Sequence, residues 1–232
     1  MNHTYEDMIK YKAILGNINY SDLVICPSYP YLQMMRSSSY ILCAQNVSSH
    51  LVGSFTGEVS AASLKSIGVS ASLIGHVETK ASFDEVSDKL HQVLRQNLDA
   101  YVILTDTLED YNYQYTSSVL LGAVRGLLAH VSSKDYNKIH FIYEPKYMIG
   151  KEEALDISDL ESIFSYLKQE LVNDYGYSFP LYYGGGLTLS NIMPYYKSKF
   201  IDGLFLGKAI NHPDGLKGIC NKIIKATTID NN

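Results

Sequence analysis

The stretch F-I-Y-E-P-K-Y-M-I-G-K-E-E, from Phe141 to Glu153, places a carboxylate at the end of an apolar run and follows it with a proline. The apolar run is short and rich in aromatic and β-branched residues, which predicts a buried strand. Pro145 has no backbone N–H and restricts the residue before it to extended geometry. Glu144 is therefore expected to be held at the carboxyl end of a strand.

Similar apolar runs recur along the whole chain. They are near-continuous instead of alternating, which is typical of parallel strands covered on both faces. The seven runs are Leu23 to Pro27, Tyr40 to Asn46, Ala71 to His76, Ala100 to Asp106, Ile139 to Glu144, Phe179 to Gly185 and Phe200 to Gly207.

Helix-compatible segments lie between most of these runs. The clearest are Asp84 to Asn97, Ser117 to Val131 and Ser158 to Tyr175. The last opens with S-D-L-E, which predicts a capping serine with a glutamate three positions later. Strand and helix therefore alternate, and the fold class is α/β.

That alternation fits either an open doubly wound sheet or a closed (β/α) barrel. Nearly every run ends in a residue capable of chemistry, and a barrel brings all strand ends to one mouth, whereas an open sheet uses only a few. We therefore favour the barrel. The residues at the strand ends are Gln45, Asn46, His76, Asp106, Glu144, Gly184, Gly185 and Gly207.

An eight-stranded barrel needs one strand more than the seven runs supply. A helix-like segment, Tyr5 to Leu15, precedes the first run, so the missing strand is expected before Met1. Without that strand, two edges of a parallel sheet would be left unpaired.

Composition limits the possible partners. The chain has 232 residues, 46% of them hydrophobic, and can bury a sizeable core. A net charge of −5 with three arginines argues against binding to nucleic acid or to a membrane surface. Three cysteines without C-x-x-C spacing predict buried thiols, not a disulfide framework or a zinc site.

With no apolar leader or spanning segment, we expect one cytoplasmic domain over residues 1–232.

Two strand ends carry candidate catalytic groups. His76 follows Gly75, and the start of a helix behind it would lower the pKa of the imidazole, leaving a neutral ring that can donate to a carbonyl. Glu144 is followed by K-Y-M-I-G-K, an apolar loop that could close over a ligand. The alternatives are a rim histidine bonded to backbone and a salt-bridged strand-end glutamate.

Glycine clusters follow the last two runs. Tyr183 to Gly186 and Leu206 to Lys208 could present backbone N–H groups to an anion, and barrels often bind phosphate after their last strands. A base, a neutral electrophile, a mobile loop and a phosphate site together indicate proton transfer next to the carbonyl of a small sugar phosphate.

These motifs together resemble the triosephosphate isomerase family, and the similarity is collinear from Met1 to about Ile219. The resemblance implies a (β/α)8 TIM barrel with the first β-strand missing from this chain. The segments that carry it are A-Q-N-V at Ala44, G-S-F-T-G-E-V-S-A at Gly53, I-G-H-V-E at Ile74, Y-E-P-K-Y-M-I-G at Tyr143, Y-G-G-G at Tyr183 and D-G-L-F-L-G at Asp202.

The resemblance also implies roles for individual residues. Glu144 would be the proton acceptor, His76 the electrophile, and Glu78 a supporting residue. The segment Ser48 to Val59, with Thr56 near its tip, matches a loop that inserts into a partner subunit, which implies a homodimer. No metal or organic cofactor is required. The family's phosphate-binding positions correspond to Gly150, Gly186, Gly207 and Lys208.

The chain departs from the family pattern at several positions that support or bind the substrate. The first strand, with its Asn and Lys, is absent, and Met1 to Thr4 align just after that Lys. The other departures are Val77 for a Ser, Thr79 for an Arg, Ile103 for a Cys, Asp106 for a Glu, Lys151-Glu152 for Thr-Gly, Gly186 for a Ser and Lys208 for a Gly.

Two explanations fit the missing strand. Either the sequence begins at an internal Met and the product carries about 13 more residues, or the truncation is real and the chain is a decayed paralogue. Three functions follow: interconversion of dihydroxyacetone phosphate and glyceraldehyde 3-phosphate in glycolysis and gluconeogenesis; isomerisation of a related phosphorylated aldose or ketose; or a catalytically impaired homologue that only binds a sugar phosphate or a partner.

Overall fold

A computed structural model describes residues 3–18 and 22–230 of the chain. Within these residues one parallel sheet contains seven strands, each paired with the next along the chain. Every apolar run that predicts a strand overlaps one, although the strands are shorter than the runs and β4 begins one residue before its run. The strands are β1 Val24–Ile25, β2 Ile41–Ala44, β3 Ala71–Ile74, β4 Asp99–Leu104, β5 Ile139–Tyr143, β6 Leu181–Gly184 and β7 Gly203–Phe205.

Helices connect most of these strands, as a sequential parallel sheet requires. The four predicted helices are present as α1, α3, α5 and α6, within a few residues of their expected ends. The helices are α1 Tyr5–Leu15, α2 Ala61–Ser66, α3 Phe83–Arg95, α4 Leu108–Asn112, α5 Thr116–Leu128, α6 Ile157–Tyr175, α7 Ile192–Lys197 and α8 Pro213–Asp230.

The predicted cap of α6 is wrong. Asp156, not Ser158, is the N-cap, and its side chain accepts a hydrogen bond from the backbone N–H of Ser158 at 2.8 Å. The carboxylate of Asp156 lies two residues earlier and reaches the same free N–H groups, so Ser158 is already inside the helix.

The seven strands form a curled sheet, consistent with a TIM barrel whose first strand is missing. In the described part of the chain, no ladder joins β1 to β7. His3, which lies two residues before α1, bonds to both sides of this opening. The His3 ring contacts the Asn211 carbonyl after β7 at 3.1 Å, and the His3 carbonyl accepts from the Tyr31 hydroxyl after β1 at 3.2 Å. Met1 and Asn2, part of the predicted alignment, lie outside the described residues.

Strand alternation divides the buried side chains into two clusters. The larger one lies between the strands and the helices and includes Phe141, Tyr143 and Leu160. The smaller one contains the alternate strand residues and lines the concave side of the sheet. Its buried members are Cys43, Ala71, Leu73, Tyr101, Ile103 and Ile142. Both faces of the sheet are therefore covered, as the continuous apolar runs predict.

Aromatic rings fill part of the concave side, where Val, Ile and Leu usually dominate. Tyr101 and His140 stack with their ring centroids 4.5 Å apart, and the His140 Nδ1 lies 3.2 Å from the Tyr182 hydroxyl. Burial lowers the pKa of His140 to about 4, so its ring is neutral near pH 7. The three rings of Tyr101, His140 and Tyr182 thus pack against one another on this side of the sheet.

No helix in the described ranges is long and apolar enough to cross a membrane.

Replacing Tyr101 with alanine should lower the free energy of unfolding by about 3–5 kcal/mol, because the ring leaves a cavity inside the sheet. Urea denaturation followed by circular dichroism measures this. Tyr113→Ala is a matched control, because Tyr113 is exposed, and its effect should stay within about 0.5 kcal/mol. Equal effects of the two substitutions would show that Tyr101 does not support the barrel interior.

Candidate functional site

The structure brings His76 and Glu144 together at one rim of the sheet. His76 follows β3 after Gly75, and Glu144 follows β5 directly. The His76 Nε2 lies 3.2 Å from the Glu144 Oε2, and the two side chains are 17% and 10% exposed. The pair is thus largely shielded from solvent, where electrostatic interactions are stronger than in water.

Backbone contacts fix the orientation of both residues. The backbone N–H of Glu144 donates to the Leu104 carbonyl at 2.9 Å, which continues the ladder between β4 and β5 past the end of the strand. The His76 Nδ1 accepts from the backbone N–H of Glu78 at 3.3 Å. Because an accepting Nδ1 carries no proton, a neutral His76 ring has its proton on Nε2, facing Glu144.

The expected lowering of the His76 pKa is wrong in this structure. The neighbouring Glu144 carboxylate raises the pKa of His76 above its ordinary value, although burial of the ring works in the opposite direction. The helix that follows, Val77–Thr79, is a single 3₁₀ turn. A full charge 3.2 Å away outweighs the weak dipole of so short a helix.

The backbone of Glu78 contacts the His76 ring, whereas its side chain faces outward. The carboxylate lies 3.8 Å from the His76 Nδ1 and is 79% exposed. Glu78 thus contacts the ring through its backbone N–H, and its supporting role stays a prediction.

The loop after Glu144 is anchored at its far end by two tyrosines. The Tyr183 hydroxyl accepts from the Leu155 backbone N–H at 2.9 Å, and the Tyr195 hydroxyl donates to the Leu155 carbonyl at 2.5 Å. We call residues 146–154 the lid. Its middle contains Gly150, which has a φ of +78° and open space where a Cβ would stand.

Gly186, in the loop after β6, lies against the lid backbone. A Cβ at this position would stand 1.9 Å from the Glu153 carbonyl oxygen, and the φ of Gly186 is +64°. Asn191 links the same two segments, because its Nδ2 donates to the Gly186 carbonyl at 3.0 Å and lies 3.4 Å from the Glu152 carbonyl. The glycine that replaces the expected serine is therefore required by the close approach of the lid.

Lys208, in the loop after β7, points towards the lid. Its Nζ lies 3.0 Å from the Glu152 Oε1 and donates to the Gly150 carbonyl at 3.3 Å. Gly207 precedes it and has open space at its Cβ position. The loops that carry Gly150, Gly186, Gly207 and Lys208 are thus brought together around the lid.

A buried carboxylate lies near the beginning of the lid. Asp106 is buried, accepts from the Thr116 hydroxyl at 2.6 Å, and its carbonyl lies 3.4 Å from the Lys146 backbone N–H. Burial raises the pKa of Asp106, while the Thr116 hydroxyl opposes the rise. Sequence patterns do not reveal Tyr195 or Asn191 as neighbours of this site, because they lie 40 and 39 residues along the chain from Leu155 and Glu152, which they contact. Thr116 lies 10 residues from Asp106, beyond α4, and no local pattern reveals this contact either.

The loop predicted to meet a partner subunit has an apolar, exposed tip. The Ser48 backbone N–H donates to the Val59 carbonyl at 2.9 Å, which closes the base of the loop. Val52 is 81% exposed, and the rings of His50 and Phe55 stack with centroids 3.6 Å apart. Thr56 is exposed beside Phe55.

Residues 1–223 match the family model described as Triosephosphate isomerase. The chain belongs to the triosephosphate isomerase family. A protein named triosephosphate isomerase from Buchnera aphidicola subsp. Baizongia pistaciae is 31% identical over 210 residues, which cover 86% of this chain and 83% of the relative. The protein of that name from Idiomarina loihiensis is 29% identical over 217 residues, covering 89% and 86%. The family predicted from the sequence motifs is confirmed, and its members are isomerases.

The raised pKa of His76 predicts a pH-dependent contribution to stability. A group with a raised pKa in the folded state stabilises the fold below its unfolded pKa, near 6.5, and loses this effect as the pH rises through the folded value. The difference in unfolding free energy between the wild type and His76→Gln should therefore be larger at about pH 6 than at about pH 9.

Urea denaturation at the two pH values measures this difference. In a Glu144→Gln background the pH dependence should largely disappear, because the main cause of the raised pKa is removed. If the difference persists unchanged in that background, Glu144 is not its source.

Gly186→Ser should destabilise the protein through the collision with Glu153. Gly176→Ser is a matched control, because Gly176 also has a φ of +64° but has open space around its Cβ position. Backbone strain should cost about 1 kcal/mol at either site, and the collision should add about 1–3 kcal/mol at residue 186 alone. Equal losses of unfolding free energy at the two sites, measured by urea denaturation, would show that the lid backbone at Glu153 moves aside freely.

Proposed function

We propose that this protein interconverts dihydroxyacetone phosphate and D-glyceraldehyde 3-phosphate, a step of glycolysis and gluconeogenesis, as a cytoplasmic enzyme. The observation that carries the proposal is the 3.2 Å contact between His76 and Glu144 under a lid. A shielded carboxylate beside an imidazole supplies a base and a proton donor within reach of one small substrate.

In this reaction the Glu144 carboxylate removes a proton from one substrate carbon, and the electron pair of the C–H bond forms the double bond of an enediol or enediolate. The Nε2–H of His76 donates to the carbonyl oxygen where negative charge develops. His76 gives its Nε2 proton to this oxygen and takes up the proton of the neighbouring hydroxyl, whose O–H electron pair forms the new C=O bond. Glu144 then returns its proton to the former carbonyl carbon, where it bonds to the electron pair of the enediol double bond, so that both residues end as they began.

The backbone around the lid suits a phosphate. Gly150, Gly186 and Gly207, together with the backbone N–H of Lys208, are the groups that we assign to the phosphate of the substrate. Glycine allows a bound oxyanion to approach the backbone closely. Gly150 and Gly207 both have open space where a side chain would stand.

A homodimer is proposed on the basis of the loop from Ser48 to Val59. Its exposed apolar side chains Leu51, Val52 and Phe55 all lie within residues 51–55. Covering them would remove apolar surface from water. A second copy of the chain is the partner that the family resemblance implies.

Glu144→Gln should lower kcat for triose phosphate isomerisation by about 10²–10⁴-fold with little change in KM, because the base is lost while its shape is kept. A coupled assay in each direction measures both parameters. Glu6→Gln, an exposed residue of α1, is the matched control and should leave both unchanged.

The assay is run on the 232-residue chain and on a form extended by a first strand ending in Asn-x-Lys. If the extended, dimeric protein turns over no triose phosphate, the proposal fails and a binding-only homologue is supported. If it turns over only another phosphorylated aldose or ketose, the related isomerase is supported.

A further inference from the structure

The lid carries a carboxylate close to the loops that we assign to phosphate. Asn191 ties the Glu152 backbone to Gly186, with Nδ2 distances of 3.4 and 3.0 Å to the two carbonyls. The Glu152 side chain extends from this point to the loop after β7, where it meets Lys208. A negative charge is thereby held beside the site proposed for a phosphate dianion. Repulsion between these like charges disfavours binding of the phosphate.

Lys208 neutralises this carboxylate. Its Nζ lies 3.0 Å from the Glu152 Oε1 and 3.3 Å from the Gly150 carbonyl, so one ammonium group bonds to two points of the lid. The side chain is thus engaged by protein groups, and the part of Lys208 left for a phosphate is its backbone N–H.

We propose that Glu152 and Lys208 form a charge-compensated latch. Lys208 is a positioning residue that holds the lid against the loop after β7 and cancels the charge of Glu152, so that the phosphate of the substrate can be accepted. This inference rests on the proposed function for its effect on KM, but the latch itself is a property of the ligand-free protein.

The exposure of the pair suits a latch that opens during turnover. The side chains of Lys208 and Glu152 are 56% and 72% exposed. Ion pairs in such surroundings are weak and are screened by salt. Holding the lid by this pair therefore leaves it free to open for the substrate and the product.

A double-mutant cycle tests the charge compensation. Lys208→Met should raise KM by about tenfold, because Glu152 is left uncompensated beside the phosphate. Glu152→Gln should leave KM unchanged or lower it. The double variant E152Q/K208M should return KM to within about threefold of the wild type. Lys134→Met, at the opposite end of the strands, removes the same charge as a matched control and should have no effect.

If the double variant is as impaired as Lys208→Met alone, Lys208 acts on the phosphate directly and the proposal is overturned. A KM unchanged by Lys208→Met also overturns it.

Amide hydrogen exchange of residues 147–153 tests the latch without catalysis. Exchange in the ligand-free protein should be faster in Lys208→Met and in the double variant, to a similar extent. The increase should be smaller in Glu152→Gln, which keeps the bond from Lys208 to the Gly150 carbonyl. Raising the salt concentration should accelerate exchange in the wild type but not in Lys208→Met.

The two measurements separate the two proposals. If the chain does not turn over triose phosphates but the exchange responds as expected, the proposed function fails and the latch stands. If the enzyme is active but the exchange is the same in all variants, the latch fails alone.

Discussion

The parallel ladders on either side of β4 determine where the reactive side chains meet. The β4–β5 register runs from Ala100 opposite Ile139 to Leu104 opposite Tyr143, and the Glu144 N–H continues it by one bond. On the other side, β3 ends with Ile74 opposite Val102. Since all three strands run in the same direction, His76 and Glu144 leave the sheet at the same rim. The 3.2 Å contact between them, and the position of the lid that follows Pro145, depend on this register.

Two effects act on His76 in opposite senses. The bond from the Glu78 N–H to Nδ1 favours a neutral ring with its proton on Nε2, whereas the Glu144 carboxylate favours the cation and raises the pKa. In the proposed reaction, Glu144 becomes neutral when it takes the carbon proton. The main cause of the raised pKa then vanishes at the step where His76 must donate a proton.

The departures from the family pattern around the lid are matched to one another. The larger and charged hinge residues Lys151 and Glu152 stand where small residues are expected. Opposite them, Gly186 lacks the side chain that would collide with Glu153, and Lys208 supplies the charge that pairs with Glu152. Gly186 thus leaves room for the lid backbone, and the charge that Glu152 adds to the lid is met by the opposite charge of Lys208.

The sequence by itself determined the alternation of strands and helices, the polar residues at the strand ends and the family. These follow from local patterns, since burial on both faces requires continuous apolar runs and a strand end can be recognised from its neighbours in the chain. The tertiary structure alone decided that Asp156 caps α6, that Tyr183 and Tyr195 anchor Leu155, that Lys208 faces the lid and that the His76 pKa is raised. Most of these depend on distances between residues far apart in the chain, which local patterns do not encode. The Asp156 cap depends on which of two polar side chains, Asp156 or Ser158, reaches the free N–H groups.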